Sequence, residues 1–284
     1  MLEIIRLIIA LLFTGVCAYT DYKTRYIPEK AAWVLLILSI LLALLLKEFQ
    51  NLLIASVIFS IGFLAYLTGR IGAGDVFVIT IITLLVPKTP SSIPSYFGIK
   101  TIPTPFPFIF STFILAALIG PMLIQPIKMF IRLNKNKHKI KKYKEKLITG
   151  LLTAALFGFT LIVISQFNKL FLLLTPSITI STLILPFKED LLKQFAIKKK
   201  ISELDEDDVI ATEFIKSEVL KKLGIKRKTL LKRELKKVKQ KAKKQRIKTI
   251  LVYDNLPPFL PYLLLAMIIN LITGDFFTYF LLNS

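Results

Sequence analysis

Two acidic residues lie at the ends of apolar segments, where carboxylates are rare. Asp21 follows the first such segment and precedes Ile27-Pro28, and Asp75 closes the run Gly72-Ala73-Gly74-Asp75 at the start of the fourth. A carboxylate at a membrane boundary is costly unless it is hydrated or functional. Two neighbouring carboxylates can share a proton and divide general-base and general-acid work at a water molecule. Asp21 and Asp75 are therefore predicted to be a catalytic pair, provided that the fold brings them together.

The surroundings of each acid predict how it is held. Gly72 and Gly74 have no Cβ, so they allow a sharp turn before the helix or the close approach of a substrate strand. Asp75 lies at a helix N-terminus, where negative charge is favoured, whereas Asp21 lies near a helix C-terminus, where it is disfavoured. This difference predicts that Asp75 is the ionised base and Asp21 the protonated acid.

The composition predicts that a membrane protein carries these acids. Of the 284 residues 54% are apolar, and the mean hydropathy is +0.65. The predicted fold class is an all-α membrane protein, a polytopic bundle of about six to eight transmembrane helices with a small cytoplasmic domain, because a span needs roughly 20 mostly apolar residues. The apolar segments are 3–20, 31–46, 51–68, 75–87, 108–131, 148–165, 169–187 and 256–282.

The basic loops predict the orientation of the chain in a cell membrane that it crosses several times. Loops 132–147 and 188–255 are rich in Lys and Arg, as cytoplasmic loops are. Counting crossings from them places both acids at the cytoplasmic face and both chain ends outside. The predicted organisation is a transmembrane bundle at 1–187 with both acids, a basic cytoplasmic domain at 188–255 and a C-terminal transmembrane helix at 256–284.

Proline and glycine residues predict breaks in the later segments. Pro176 and Pro186 are predicted to interrupt 148–187, which would then form a hairpin with one partly buried arm. In the basic domain, Gly224 is predicted to break a helical middle, and the β-branched run 247–253 is predicted to be a strand.

What the chain lacks argues against other chemistries. Cys17 is the single cysteine and His138 the single histidine, so no disulfide, metal site or Ser-His triad is predicted. The lysine-rich stretch 226–248 contains no aromatic residue and thus lacks stacking platforms for single-stranded nucleic acid. Anionic lipid headgroups are its predicted partner instead.

The motifs resemble those of the archaeal preflagellin and prepilin peptidases, the GxGD aspartic membrane proteases related to type IV prepilin peptidases. The likeness rests on Asp21 with Ile27-Pro28, on Gly72-Ala73-Gly74-Asp75 and on the proline-rich start of the last segment, 256–261. It implies cleavage of class III signal peptides from pilin-like or archaellin-like precursors at the cytoplasmic face. It also implies that Asp21 and Asp75 are the catalytic pair and that no metal or organic cofactor is needed.

Several features depart from that family. Glu29 and Phe77 stand where bacterial relatives often have Asn and Lys, and the cysteine-rich methyltransferase segment of those relatives is lacking, so no N-methylation is predicted. Eight segments exceed the six expected of compact archaeal relatives. A presenilin-type arrangement is disfavoured because Tyr253-Asp254 follows the Gly-x-Gly-Asp motif instead of preceding it.

Two functions of other classes stay open at this point. A non-enzymatic scaffold, such as a secretion-machine subunit, would use each acid only as a helix-end residue. A transporter with Asp21 or Asp75 as a proton or cation site would place them at a midplane cavity. The acid run 205–208 is either a solvated loop or an attractor for the basic leader of a precursor.

Overall fold

The computed structural model describes residues 2–69, 71–90, 93, 107–124, 127, 144–165, 170–205, 208–225, 227–253 and 258–275. Each of the eight predicted apolar segments contains a helix. The helix at Phe108–Ala117 continues into a π-helical segment at Leu118–Ile124. The helices are α1 (Leu2–Thr24), α2 (Glu29–Leu45), α3 (Phe49–Leu67), α4 (Ala73–Leu85), α5 (Phe108–Ala117), α6 (Lys144–Ser165), α7 (Leu170–Ile184) and, last in the chain, α11 (Leu260–Thr273).

Three of the described helices, α1, α3 and α6, are long and apolar enough to cross a membrane by length and composition. Large apolar side chains on them are exposed, such as Leu12 at 67%, Leu53 at 64% and Phe159 at 68%. A helix facing water carries polar residues on its outer face, so these outer faces suit lipid. Helices α4 and α11, and the stretch 108–124, are apolar but shorter. The larger number of crossings stays a prediction.

Helix α4 occupies the centre of the bundle. It contacts α1, α2, α3 and α5, and every residue from Val78 to Leu85 is buried. A helix that is apolar all round is one that other helices surround. Its two buried threonines, Thr80 and Thr83, donate hydrogen bonds to carbonyls of their own helix at 2.7 and 2.8 Å. The central helix therefore presents Asp75 from a position that four other helices enclose.

Helices α6 and α7 form the hairpin predicted for 148–187, with one correction. Pro176 was expected to interrupt the second arm, but it lies inside α7, which continues to Ile184. Pro186 falls in a 3₁₀ turn, Leu185–Phe187, after the helix. The Ser181 hydroxyl donates a 3.0 Å hydrogen bond to the Met122 carbonyl, which ties the hairpin to the π-helical segment.

The basic region folds into a second unit with its own apolar core. A three-stranded antiparallel sheet has the order β1-β3-β2, and both outer strands pair with β3 at Tyr253. The all-α prediction is therefore incomplete here. The elements are α8 (Lys188–Phe195), β1 (Ala196–Lys200), β2 (Val209–Ile210), α9 (Ser217–Leu223), α10 (Lys232–Lys244) and β3 (Thr249–Tyr253).

Two local predictions for this unit are confirmed. Gly224 ends α9 with a φ of 74°, in the left-handed region that favours glycine. The predicted strand at 247–253 contains β3. Helix α10 buries Leu235, Val238 and Ala242 along one side and leaves most of its lysines in solvent, which is the amphipathic pattern of a helix lying on a core.

Candidate active site

Asp21 lies in the last turn of α1, where it is held by the last helix. Its Oδ2 accepts a 3.2 Å hydrogen bond from the backbone N–H of Leu260, the first residue of α11. The N–H groups of a first helical turn have no partner within the helix. Pro261 follows in that turn, a position where proline is compatible with helix. The half-buried carboxylate of Asp21 therefore joins α1 to the start of α11.

Asp75 is the third residue of α4 and is held by the residue that precedes this helix. Its Oδ2 accepts a 3.1 Å hydrogen bond from the backbone N–H of Gly72. A Cβ on Gly72 would lie 3.1 Å from the same oxygen. The φ of Gly72 is −71°, which any residue adopts, so a side chain at this position would crowd the carboxylate without straining the backbone.

The fold brings the two acids to one end of the bundle, here named the motif end, where α1 and α3 finish and α4 and α11 begin. Their carboxyl groups lie within electrostatic range of each other. Cys17, fully buried one turn before Asp21, interacts electrostatically with both. Among the described residues, no Lys or Arg forms an ion pair with either acid.

The two sequence motifs also contact each other directly. The side chain of Ile27 packs on Gly74 so closely that a Cβ there would overlap Ile27 Cδ1 and lie 2.9 Å from Ile27 Cβ. Pro28 directly precedes α2 and its carbonyl accepts a 3.0 Å hydrogen bond from Ala32 N–H. The Ile-Pro pair therefore fixes the start of α2 and, through Gly74, the start of α4.

The predicted proton assignment loses its basis in this geometry. It treated Asp21 as a residue near a helix C-terminus only, yet Asp21 also meets the N-terminus of α11 through Leu260. Positive helix ends therefore face both acids. The proline-rich start of the last segment was the available sequence signal for this contact. Leu260 N–H and Cys17 are the site groups that the sequence reasoning did not assign.

Two polar residues near the C-terminal end of α11 lie away from the pair. Asp275 follows α11 at the end far from Leu260 and is only 6% exposed. Asn270 donates hydrogen bonds of 3.3 and 3.1 Å to Ser111 and Thr112, which join α11 to α5. Trp33 packs edge-on against Phe77 at 4.7 Å between ring centroids.

The acid run 205–208 is partly neutralised within the second unit. Both carboxylate oxygens of Asp208 accept hydrogen bonds from Lys199 Nζ, at 2.8 and 2.7 Å. Burial alone would lower the pKa of Lys199, but the hydrogen bond and charge of Asp208 outweigh it and raise that pKa. Glu206, Asp207, His138 and Asp254 lie outside the described residues.

An apolar cleft of about 210 Å³ lies beside Asp75, between α2, α3 and α4. Ala73 and Val76, which lie on either side of Asp75 in the sequence, line one wall. Its lining residues are Trp33, Phe59, Phe63, Tyr66, Ala73, Val76 and Phe77. Within the described part of the chain, no three His, Cys, Asp or Glu side chains are grouped so that they could hold a metal ion.

Comparison with known proteins identifies the motif-bearing part of the bundle. Residues 8–123 match the model of the type IV leader peptidase family. This range holds Asp21, Ile27-Pro28 and Gly72–Asp75, and the predicted resemblance to prepilin and preflagellin peptidases is thereby confirmed. The match supports a protease of the leader peptidase type and lies within the helical bundle. No curated protein and no solved structure matches the chain.

Proposed function

We propose that this protein is a membrane-embedded aspartic endopeptidase that cleaves class III signal peptides from type IV pilin-like or archaellin-like precursors at the cytoplasmic face of the cell membrane. The observation that supports the proposal is that Asp21 and Asp75 both lie at the motif end, within electrostatic range of each other and inside the range that matches the leader peptidase family. Gly72 and Gly74 position the second acid in this proposal.

The reaction divides between the two carboxyl groups. One carboxylate takes a proton from water, whose oxygen attacks the carbonyl carbon of the scissile peptide bond. The other carboxyl group donates its proton to the carbonyl oxygen. The first carboxyl group then gives its proton to the nitrogen while the second takes a proton back from the tetrahedral diol. The C–N bond breaks, the amine leaves and the pair returns to its starting state. Such positioned proton transfers contribute about 10²–10⁴-fold to a rate.

The surroundings of the pair suit a precursor that is half in water and half in the bilayer. The apolar cleft lies next to Asp75 on the side of α2 and α3, where it would face the apolar helix of the precursor. The basic leader would extend past the motif end toward the second unit. The scissile bond would then lie at the depth of the two acids.

The lysine-rich side of α10 is proposed to contact anionic lipid headgroups. Its apolar side consists of Leu235, Val238 and Ala242 and is buried, so its lysines face outward. Each Lys or Arg near an anionic surface contributes about 1 kcal/mol. This contact would hold the second unit against the membrane, and no nucleic acid partner is proposed.

The positions of the acids weigh against the two rival functions. A transporter site is expected at a midplane cavity, whereas Asp21 lies in the last turn of one helix and Asp75 in the first turn of another. A scaffold has no need for two like charges within electrostatic range of each other.

The test is co-expression with a candidate precursor, scored by the gel shift that loss of its leader produces. Asp21→Asn and Asp75→Asn should each reduce cleavage by about 10³-fold or more without changing membrane insertion. Glu3→Gln is the matched control, because Glu3 is an exposed acid at the opposite end of α1. Full cleavage by either Asn variant would refute the proposal.

A further inference from the structure

The second unit touches the turn that leads from α3 to Asp75. Thr229 is only 2% exposed, and its hydroxyl oxygen lies 3.0 Å from the backbone carbonyl of Tyr66 and 3.3 Å from that of Leu67. The last carbonyls of a helix have no partner within it. The Thr229 hydroxyl therefore caps the C-terminus of α3 from outside the bundle.

Gly69 provides an independent sign of the same contact. Its φ of 68° lies in the left-handed region that favours glycine. A Cβ on Gly69 would also lie 2.9 Å from Lys228 Cβ and 3.1 Å from Val209 Cγ1. Both neighbours belong to the second unit, so this turn is shaped to accept it.

The loop that makes the contact is fixed within its own unit. Ile210 N–H donates a 2.7 Å hydrogen bond to the Lys228 carbonyl. Lys228 Nζ forms an ion pair with Glu213, and Glu213 accepts a 3.0 Å hydrogen bond from the Tyr253 hydroxyl on β3. The position of Thr229 is therefore set by the sheet of the second unit.

We propose that Thr229 is a positioning residue that fixes the α3–α4 turn and so sets Asp75 relative to Asp21. Asp75 follows Gly69 by only six positions, while Asp21 is anchored separately by Leu260. A loosened turn would move one acid and leave the other in place. This inference rests on the proposed function, and it gives the second unit a role in catalytic geometry besides its proposed contact with lipid.

Thr229→Val tests the role, because it keeps the shape of the side chain and removes the hydroxyl. A misplacement of about 1 Å can lower a rate about a hundredfold, so kcat for precursor cleavage should fall by up to that factor with KM little changed. Thr229→Ser should restore most of the rate. Thr249→Val is the matched control, since Thr249 is an exposed residue of β3.

Amide hydrogen exchange of the full chain in detergent gives a readout that does not depend on activity. Exchange at residues 66–72 should increase in Thr229→Val but not in Thr229→Ser or Thr249→Val. A Thr229→Val variant with unchanged kcat would overturn the positioning role, while inactive Asp21→Asn and Asp75→Asn variants would leave the proposed function standing. If the wild-type chain cleaves no precursor, the proposed function fails. If exchange at 66–72 is also unchanged in Thr229→Val, the inference that Thr229 fixes the turn fails as well.

Discussion

The two ends of the helical bundle hold charge in opposite ways. At the end opposite the motif end, Arg6 on α1 donates to both carboxylate oxygens of Glu48, at 2.7 and 2.9 Å, and to the Leu84 carbonyl at 2.5 Å. Arg6 is only 4% exposed. At the motif end, two acids lie within electrostatic range of each other, and no described cation forms an ion pair with either.

The difference separates a structural use of charge from a catalytic one. The buried guanidinium of Arg6, paired with Glu48 and hydrogen-bonded to the Leu84 carbonyl, links α1, the α2–α3 turn and α4. Loss of its partner leaves an uncompensated charge. Asp21 and Asp75 instead accept hydrogen bonds from the N–H groups of Leu260 and Gly72. Like charges brought within electrostatic range of each other are characteristic of functional sites. The following changes would break or sharpen this contrast.

Removing the counterion of Arg6 should have the largest effect on stability. Glu48→Gln leaves a buried guanidinium without a carboxylate, a change that costs about 3–5 kcal/mol when one partner of a buried pair is lost. Thermal unfolding in detergent should occur at a clearly lower temperature. The control is Glu203→Gln, which removes the exposed pair between Lys200 and Glu203 and should change stability by less than about 1 kcal/mol. Equal effects of the two variants would contradict the structural role of Arg6 and Glu48.

Filling the contact between the two motifs should have the next largest effect. Gly74→Ala places a Cβ inside the side chain of Ile27, and such overpacking costs about 1–3 kcal/mol. The start of the helix that carries Asp75 must then shift. The cleavage rate per folded molecule should therefore fall as well as the free energy of unfolding. Adding Ile27→Ala to Gly74→Ala should recover part of the cleavage rate. If the double variant recovers none of the cleavage rate while Ile27→Ala alone is fully active, this contact does not position Asp75.

Acidification should weaken the opposite end through Glu48. The hydrogen bond from Arg6 holds the pKa of the Glu48 carboxyl below its ordinary value of 4.5. A lowered pKa contributes stability that is present above the ordinary value and is lost as pH falls through the folded-state value. Unfolding temperature should therefore drop below about pH 4.5, and drop less steeply in Glu48→Gln. Identical pH profiles for the two proteins would contradict this assignment.

Crowding the Asp75 carboxylate should have the smallest effect. Gly72→Ala places a Cβ 3.1 Å from Asp75 Oδ2, so that oxygen must shift by a few tenths of an ångström. A misplacement of 1 Å costs about a hundredfold in rate, and this smaller shift should reduce cleavage about fivefold. Unfolding temperature should stay unchanged because the backbone angle suits alanine. A variant as active as the wild type would remove Gly72 from the positioning of Asp75.

The sequence predicted the convergence of Asp21 and Asp75 because alternate crossings place their segment ends on one side. The same count would have placed Arg6 and Glu48 together at the other side, but the pair went unassigned. The contact of Ile27 with Gly74 depends on how α2 packs on α4, which no periodicity encodes. Thr229 reaches Tyr66 across 163 positions, a separation at which local patterns carry no information. Strand β1 was not predicted because three consecutive lysines, Lys198, Lys199 and Lys200, leave no alternation of apolar and polar residues.

The most direct test of the contrast measures cleavage and unfolding on the same purified variants. Asp21→Asn and Asp75→Asn should show no detectable turnover per folded molecule while their unfolding temperatures match the wild type. Glu48→Gln should unfold at a lower temperature while its turnover below that temperature is unchanged. Wild-type turnover in either Asn variant would contradict the account, because it would show that the two acids at the motif end do not form the catalytic pair.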